Sequence, residues 1–336
     1  MKKSVIFAFF MFCVSFLFAT DWPVKMTDSS KPANSKSAAV SSPVSIKFNF
    51  AEERYGYFSP GFVFSCDETD VTSFADGKLI FMSDAADSYY DDFSSPLGSF
   101  VVVAHPDKMI SVYANLSEIT PDVGDENSVT VGSVLGKIVP DEKIASKTVP
   151  DAKKTLLPNG VSESSEAEST EKKLQNLGFH GKNENFEFQV LDTQNKVSIN
   201  SYLILPPIEK VNVVYPGSIY LENRRGTVYN LDERKVLPSG VYSLYRDFSP
   251  GRMPLVTSVA VNGKIISTVN YDMLVSKNGV LLASGRDGFS FDRIFALPKK
   301  QFLGEVQFVR GKNEITATVV DFNKNSRKIT YYIDMY

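Results

Sequence analysis

Three apolar segments that lie close together in the chain restrict this protein to a β-sheet fold. Residues 101–105 read Val-Val-Val-Ala-His, residues 111–116 read Ser-Val-Tyr-Ala-Asn-Leu, and residues 129–136 read Val-Thr-Val-Gly-Ser-Val-Leu-Gly. Each segment is rich in β-branched residues, is shorter than a typical helix and is bounded by turn-forming residues, which is typical of buried strands. We therefore predict an all-β unit organised around residues 54–138.

The length and composition predict a globular protein with about two domains. The chain has 336 residues, of which 43% are apolar and 12% aromatic, so packed cores are well supplied. Its formal net charge is −3. Because the sequence has no basic stripe that could neutralise phosphates, we do not expect nucleic acid as a partner.

Residues 1–19 predict a secretory signal peptide. Lys2 and Lys3 form a basic start, and an apolar run over residues 5–19 follows and ends at a small residue. This run is shorter than the roughly 20 residues that span a bilayer, so we interpret it as a cleaved signal and not as an anchor. We expect export to the periplasm or cell envelope, with no transmembrane span after signal removal. The cleavage site and lipidation at Cys13 stay open.

The remainder of the chain divides by composition. Residues 20–45 are rich in Ser, Lys, Ala and Pro and predict a flexible tether. A first domain is expected over 46–207. Within it, residues at about 139–178 predict a polar surface insertion, since the entropic cost of closing a loop grows only slowly with its length. Cys66 would be the one cysteine left after signal removal, so no internal disulfide can form, and we expect it in the core.

Residues 208–336 predict a second β domain. Short strands alternate with tight-turn signals such as Asn262-Gly263 and Asn278-Gly279, which join strands as hairpins. Strand spacing of this kind is typical of a two-sheet sandwich of immunoglobulin-like type.

Several short elements of the first domain occur in an order that is informative. Residues 76–81 read Asp-Gly-Lys-Leu-Ile-Phe, residues 113–116 read Tyr-Ala-Asn-Leu, and residues 131–136 read Val-Gly-Ser-Val-Leu-Gly. Together they resemble the M23 (LytM, lysostaphin-like) family of zinc endopeptidases, which cut peptide cross-links in bacterial cell walls. The resemblance covers residues 54–205 apart from the insertion, and it implies a β-sheet domain of the duplicated hybrid motif type.

The positions that bind zinc in this family are not kept. The family uses a His-x-x-x-Asp pair and the second His of a His-x-His strand, because a catalytic zinc needs about three N or O ligands and one open site for water. The resemblance places Ser59, Val63 and Glu187 at the ligand positions. It places Asn115 and Asn185 at the positions of the two catalytic histidines. We therefore expect no bound metal, no cofactor and no catalysis.

The chain has two histidines, and neither matches a motif position. His105 follows the Val-Val-Val-Ala strand and is expected outside the metal site. His180 lies just after the insertion, where it is either an ordinary loop residue or a displaced ligand.

These features predict an exported, catalytically inactive M23-like protein that serves as a binding or regulatory module in cell-wall remodelling. The expected partners are peptidoglycan or a cell-wall hydrolase, bound at the former substrate groove through four residues: Tyr113, Asn115, Asn185 and Glu187. Two alternatives stay open. One is an active zinc endopeptidase in which Glu187, His180 and another group converge, and the other is a purely structural envelope protein.

Overall fold

A computed structural model describes residues 19–25, 44–54, 56–66, 69–84, 97–139, 185–207, 213–285 and 288–336. Most of the predicted signal peptide, tether and insertion lies outside these residues. Within them nearly all regular structure is β-strand, which confirms the all-β prediction. The one described α-helix, α1, is the short segment Phe291–Ile294. No helix in this described part is long and apolar enough to cross a membrane.

The described strands before residue 208 follow one another closely. They are β1 (Ser45–Phe48), β2 (Glu53–Arg54), β3 (Tyr57–Phe58), β4 (Phe62–Ser65), β5 (Thr69–Thr72), β6 (Gly77–Ser83), β7 (Ser99–Ala104), β8 (Met109–Leu116), β9 (Glu118–Ile119), β10 (Ser128–Val129), β11 (Val134–Ile138), β12 (Asn185–Asp192) and β13 (Val197–Ile199). Alternating burial along β7 follows from the two-residue repeat of a strand, so its valines at 101 and 103 face the core.

The described strands after residue 212 are longer on average. They are β14 (Ile219–Asn223), β15 (Val228–Asn230), β16 (Val236–Leu237), β17 (Gly240–Asp247), β18 (Val256–Val261), β19 (Lys264–Lys277), β20 (Val280–Gly285), β21 (Phe289–Ser290), β22 (Lys300–Phe308), β23 (Gly311–Val320) and β24 (Ser326–Met335). The two predicted Asn-Gly turns connect β18 to β19 and β19 to β20, and both residues of each turn have positive φ, as such hairpins require.

A central sheet runs through the whole described structure. Its main path has the order β10-β6-β7-β8-β12-β13-β19-β18-β23-β24-β16, and β4 joins it by pairing with β12. A second sheet, β15-β14-β17-β22, packs on the part of the central sheet that lies after residue 212. Apolar residues of both sheets, such as Leu221, Leu244, Val259 and Ile315, form a core between them. This half is therefore a two-sheet sandwich, and its immunoglobulin-like topology stays a prediction.

The two predicted domains share one sheet and one core. Strand β13, which precedes the predicted boundary, pairs antiparallel with β19, which follows it. Across the same boundary, the Asn200 side-chain amide donates to the Tyr271 carbonyl over 2.8 Å. The ring of Phe58 meets that of Phe291 at 5.7 Å between centroids.

The tether prediction is wrong for residues 20–25, which pack against the first half of the chain. The Trp22 ring stacks on Phe62 at a centroid distance of 6.1 Å, and its indole nitrogen donates to the Pro206 carbonyl over 2.9 Å. The Thr20 hydroxyl donates to the Ile204 carbonyl. Composition hid this role, because one large aromatic residue anchors a segment that is otherwise polar.

Candidate functional site

Four of the five positions that the resemblance matches to zinc-binding or catalytic residues lie on three neighbouring strands: Val63 on β4, Asn115 on β8, and Asn185 and Glu187 on β12. Strand β12 pairs antiparallel with β4 along one edge and with β8 along the other. The register places Glu187 opposite Val63 of β4 and opposite Ala114 of β8. Positions that are far apart in the chain therefore meet in one row across the sheet, and we take this row as the candidate site.

The two faces of these strands have different chemistry, because successive side chains point to opposite sides of a sheet. The row formed by Phe62, Phe188 and Tyr113 is fully buried and belongs to the main apolar core. The row that contains Val63 and Glu187 lies on the opposite face. The candidate site is therefore separated from the core by the thickness of the sheet.

The carboxylate of Glu187 is held in an ion pair with Arg54. One guanidinium nitrogen of Arg54 lies 2.6 Å from Glu187 Oε2, and the side chains are only 15% and 6% exposed. The side-chain amide of Gln189 donates to Glu187 Oε1 over 2.8 Å. The guanidinium carbon also lies 6.0 Å from the ring centroid of Phe48, within reach of a cation–π contact. Both carboxylate oxygens are thus engaged by side chains of this chain.

Sequence reasoning missed Arg54. The residue lies in the charged stretch Glu52-Glu53-Arg54, which is indistinguishable from an ordinary solvated turn in the sequence. Its strand β2 forms a two-stranded hairpin with β3, and this hairpin directs the side chain to Glu187. A signal in the sequence was the position of Glu187 between Phe186 and Phe188, since a buried carboxylate requires a partner.

Ser59 and Val63 provide no ligand at the candidate site. Ser59 is fully buried, and its hydroxyl donates to the Gly61 carbonyl over 2.9 Å while its amide donates to the Glu52 carbonyl. These bonds stabilise the turn that leads into β4. Val63 is also buried, and its side chain has no donor atom.

The groove prediction is wrong for Tyr113. The ring is fully buried on the core face, and its hydroxyl accepts a hydrogen bond from the Phe74 amide at 2.9 Å. Burial also raises the pKa of the Tyr113 phenol. The residue therefore ties β8 to the segment between β5 and β6 inside the core, where it is not accessible to a ligand.

Asn115 has a backbone role. Its φ is +60°, and the pairing of β7 with β8 shifts its register at this point, so the residue occupies a β-bulge in left-handed conformation. The Asn115 amide donates to the Leu97 carbonyl over 2.8 Å. Asn tolerates this conformation better than most residues. A bulky residue here would strain the backbone, so Asn115 is a poor position for testing ligand binding.

Asn185 lies at the start of β12 and is half-buried. Its side-chain oxygen accepts a hydrogen bond from the ammonium group of Lys47 on β1 over 3.1 Å. Together with Gln189, these groups form a polar rim beside the Arg54–Glu187 ion pair. We call Lys47, Asn185 and Gln189 the polar rim.

The residues at this site do not fit a zinc ion. The Glu187 carboxylate is already neutralised by a cation, Val63 has no donor, and the Ser59 hydroxyl is bound to a carbonyl. No group of three or more His, Cys, Asp or Glu side chains with metal-binding spacing occurs among the described residues. A catalytic zinc site needs about three such ligands. We therefore derive no metal-dependent step for this site.

His105 belongs to an internal hydrogen-bond network. Its Nδ1 donates to the Asp76 carbonyl over 2.8 Å, so Nε2 accepts from the Ser111 hydroxyl at 2.7 Å. Burial lowers the pKa of His105, which agrees with a neutral ring. His180 lies outside the described residues. Cys66 is buried in the main core, as expected.

Comparisons with known proteins give partial matches. A protein-family model matches residues 213–336, which is less than half of the chain. No curated protein matches the sequence.

Among solved structures, the chain resembles a complex of SpoIIIAH and SpoIIQ, Csd3 of Helicobacter pylori, and lysostaphin. The sequence identities are 19%, 16% and 13%, and the TM-scores are 0.29, 0.30 and 0.29. The matches cover 48%, 57% and 78% of this chain and 92%, 36% and 87% of the three structures. Similarities of this size do not transfer a function.

Proposed function

We propose that this chain is an exported cell-envelope protein whose M23-like unit is catalytically inactive and serves as a binding or regulatory module in cell-wall remodelling. The observation that carries the proposal is the Arg54–Glu187 ion pair, at 2.6 Å, at the one ligand position that kept a metal-binding side chain.

At this position the Arg54 guanidinium supplies the positive charge that a zinc ion supplies in the peptidase family. A catalytic zinc compensates its carboxylate ligands and also lowers the pKa of a bound water to about 7. A guanidinium compensates a carboxylate by hydrogen bonds, has no open coordination position and stays protonated at neutral pH. The sheet therefore keeps its charge balance, and the ion pair itself supplies no group that activates water.

The polar rim supplies the recognition chemistry. The amides of Asn185 and Gln189 and the ammonium group of Lys47 can pair with the backbone groups of a peptide without promoting hydrolysis. The proposed ligand is a peptide segment of peptidoglycan or of a cell-wall hydrolase.

The catalytic alternative is tested by elemental analysis of the purified mature protein and by a cell-wall lysis assay with and without a chelator. We expect no stoichiometric zinc and no lysis. A content of about one zinc per chain, lost together with lysis on chelation, would show that unusual ligands assemble an active site.

The binding proposal is tested by sedimentation with purified cell wall. We expect the wild-type protein to pellet with the wall, and the double variant Asn185→Ala/Gln189→Ala to pellet less. Gln307→Ala is the matched control, since Gln307 is an exposed strand glutamine far along the chain. Pelleting that is equal in all three proteins would place wall binding away from the polar rim. Absence of wild-type pelleting would favour a hydrolase partner or the structural alternative.

A further inference from the structure

An open cleft on the second half of the chain has no part in the proposed function. It has a volume of about 480 Å³ and lies where the β18–β19 turn, β23, β24 and β16 meet. Six of its residues carry the argument: Val236, Asn262, Lys312, Glu314, Tyr332 and Asp334. The volume is within the range of about 300–1,000 Å³ that small-molecule sites occupy.

The strand register arranges these side chains as a grid. Lys312 lies opposite Asp334, and Glu314 lies opposite Tyr332, in the antiparallel pair β23–β24. Asp334 also pairs with Val236 of β16. The intervening residues Asn313 and Ile333 are buried, so the grid residues share the outer face.

The wall of the cleft is fixed by hydrogen bonds. The Asn262 side chain donates to Asn313 Oδ1 over 3.0 Å and accepts the Glu314 amide at 2.8 Å. Asn313 in turn donates to the carbonyls of Val309 and Gly311. The turn and the strands are thus held together before any ligand arrives, which lowers the entropy that binding must remove.

The cleft combines a flat apolar surface with both signs of charge. Tyr332 is 70% exposed and Val236 is 57% exposed, which is unusual for large apolar side chains in adjacent strands. Lys235 and Lys312 balance the charges of Glu314 and Asp334 in the lining, so the cleft does not select an ion by net charge. It does offer hydrogen-bond donors and acceptors within a few ångströms of an aromatic ring.

A pyranose ring matches this chemistry. One face of the sugar presents C–H groups that stack on an aromatic ring, and its edge carries hydroxyls that both donate and accept. The polar face also continues along the strands, where the hydroxyls of Thr316 and Thr330 lie 3.0 Å apart. An extended β-linked glycan can lie along such an open surface, with its hydroxyls directed to the polar side chains.

We infer that this cleft binds an uncharged β-1,4-linked glycan, with Tyr332 as the stacking platform and Lys312, Glu314 and Asp334 as hydrogen-bonding partners of its hydroxyls. The inference is independent of the candidate site in the first half of the chain.

The test is titration of the full mature chain with chitohexaose and with cellohexaose, followed by isothermal titration calorimetry and by saturation-transfer NMR of the sugar. We expect saturable binding of at least one sugar, weakened at least about tenfold by Tyr332→Ala and largely kept by Tyr332→Phe. Circular dichroism and the melting temperature confirm that each variant is folded, since Tyr332 is exposed.

Tyr57→Ala is the matched control, because Tyr57 is a 47% exposed tyrosine on the hairpin beside the polar rim. Binding that Tyr57→Ala abolishes and Tyr332→Ala leaves unchanged would move the glycan to the first half and overturn the inference. Failure of both sugars to bind would also overturn it. Neither result depends on whether cell-wall sedimentation is affected by the polar rim.

Discussion

The ion pair between Arg54 and Glu187 makes a quantitative prediction about stability. Arg54→Met removes the cation and leaves Glu187, which is 6% exposed, with the side-chain amide of Gln189 as a donor to its carboxylate. Removing one partner of a buried ion pair costs about 3–5 kcal/mol of unfolding free energy. Because Arg54 is 15% exposed and Gln189 stays in place, we expect a loss near the lower end, about 3 kcal/mol.

A double-mutant cycle separates the pair from the other contacts of Arg54. The cycle uses Arg54→Met, Glu187→Gln and the combination of the two. The double variant should lose less unfolding free energy than the two single variants together, because neither charge is then left without its partner. We expect this coupling free energy to be about 1–3 kcal/mol. The control cycle uses Arg293→Met and Glu305→Gln, whose side chains are 3.3 Å apart and 51% exposed. We expect a coupling of at most about 0.5 kcal/mol there.

The assay is urea unfolding followed by circular dichroism and by tryptophan fluorescence. Trp22 is the single tryptophan of the chain and is 8% exposed, so its emission reports on the core of the first half. Coincident transitions would justify a two-state treatment. The reasoning is refuted if Arg54→Met lowers the unfolding free energy no more than Arg293→Met does, or if the losses of the two single variants at 54 and 187 simply add. Either result would mean that Arg54 does not neutralise Glu187, and the proposed function would lose its main support.

Two further predictions concern other parts of the chain. Burial raises the pKa of Glu52 above its ordinary value of 4.5, against the opposing amides of Asn49 and Gly251. The native state therefore binds a proton more tightly than the unfolded state, so this contribution to stability is full below about pH 4.5 and is lost as the pH rises through the raised native pKa. Glu52→Gln should flatten the dependence of the unfolding free energy on pH in that window, and an unchanged slope would contradict the assignment. Deleting residues 140–176, which the sequence predicts to be a surface insertion, should leave the melting temperature nearly unchanged. A fall of many degrees would show that the segment belongs to a core.

The strand pattern was readable in the sequence because burial repeats every two residues. The segments 101–105 and 111–116 lie in adjacent strands β7 and β8, and the Asn-Gly dipeptides form the expected hairpins. The resemblance to peptidase motifs identified positions on three strands that the structure brings side by side.

The remaining features depend on contacts between distant residues. Nothing local distinguishes Arg54 from its charged neighbours, and its importance arises from a partner that lies 133 positions later. The core position of Tyr113 follows from which face of β8 it occupies, and a motif alignment does not report faces. The polar composition of residues 20–25 concealed an anchor, because Trp22 acts through rings from other strands.

The packing of Trp22 against Pro206 has a consequence for the order in which the molecule can assemble. A nascent chain emerges amino end first, yet the aromatic anchor finds its last partners only after some 184 further positions have appeared. Strand β4 likewise cannot pair with β12 until β12 has been synthesised, and β13 cannot pair with β19 until β19 has been synthesised. Long-range pairing of this kind slows folding and leaves apolar edges uncovered in the interval. A chain stopped at residue 207 would therefore resemble an arrested folding intermediate, held open until the carboxy-terminal half completes it.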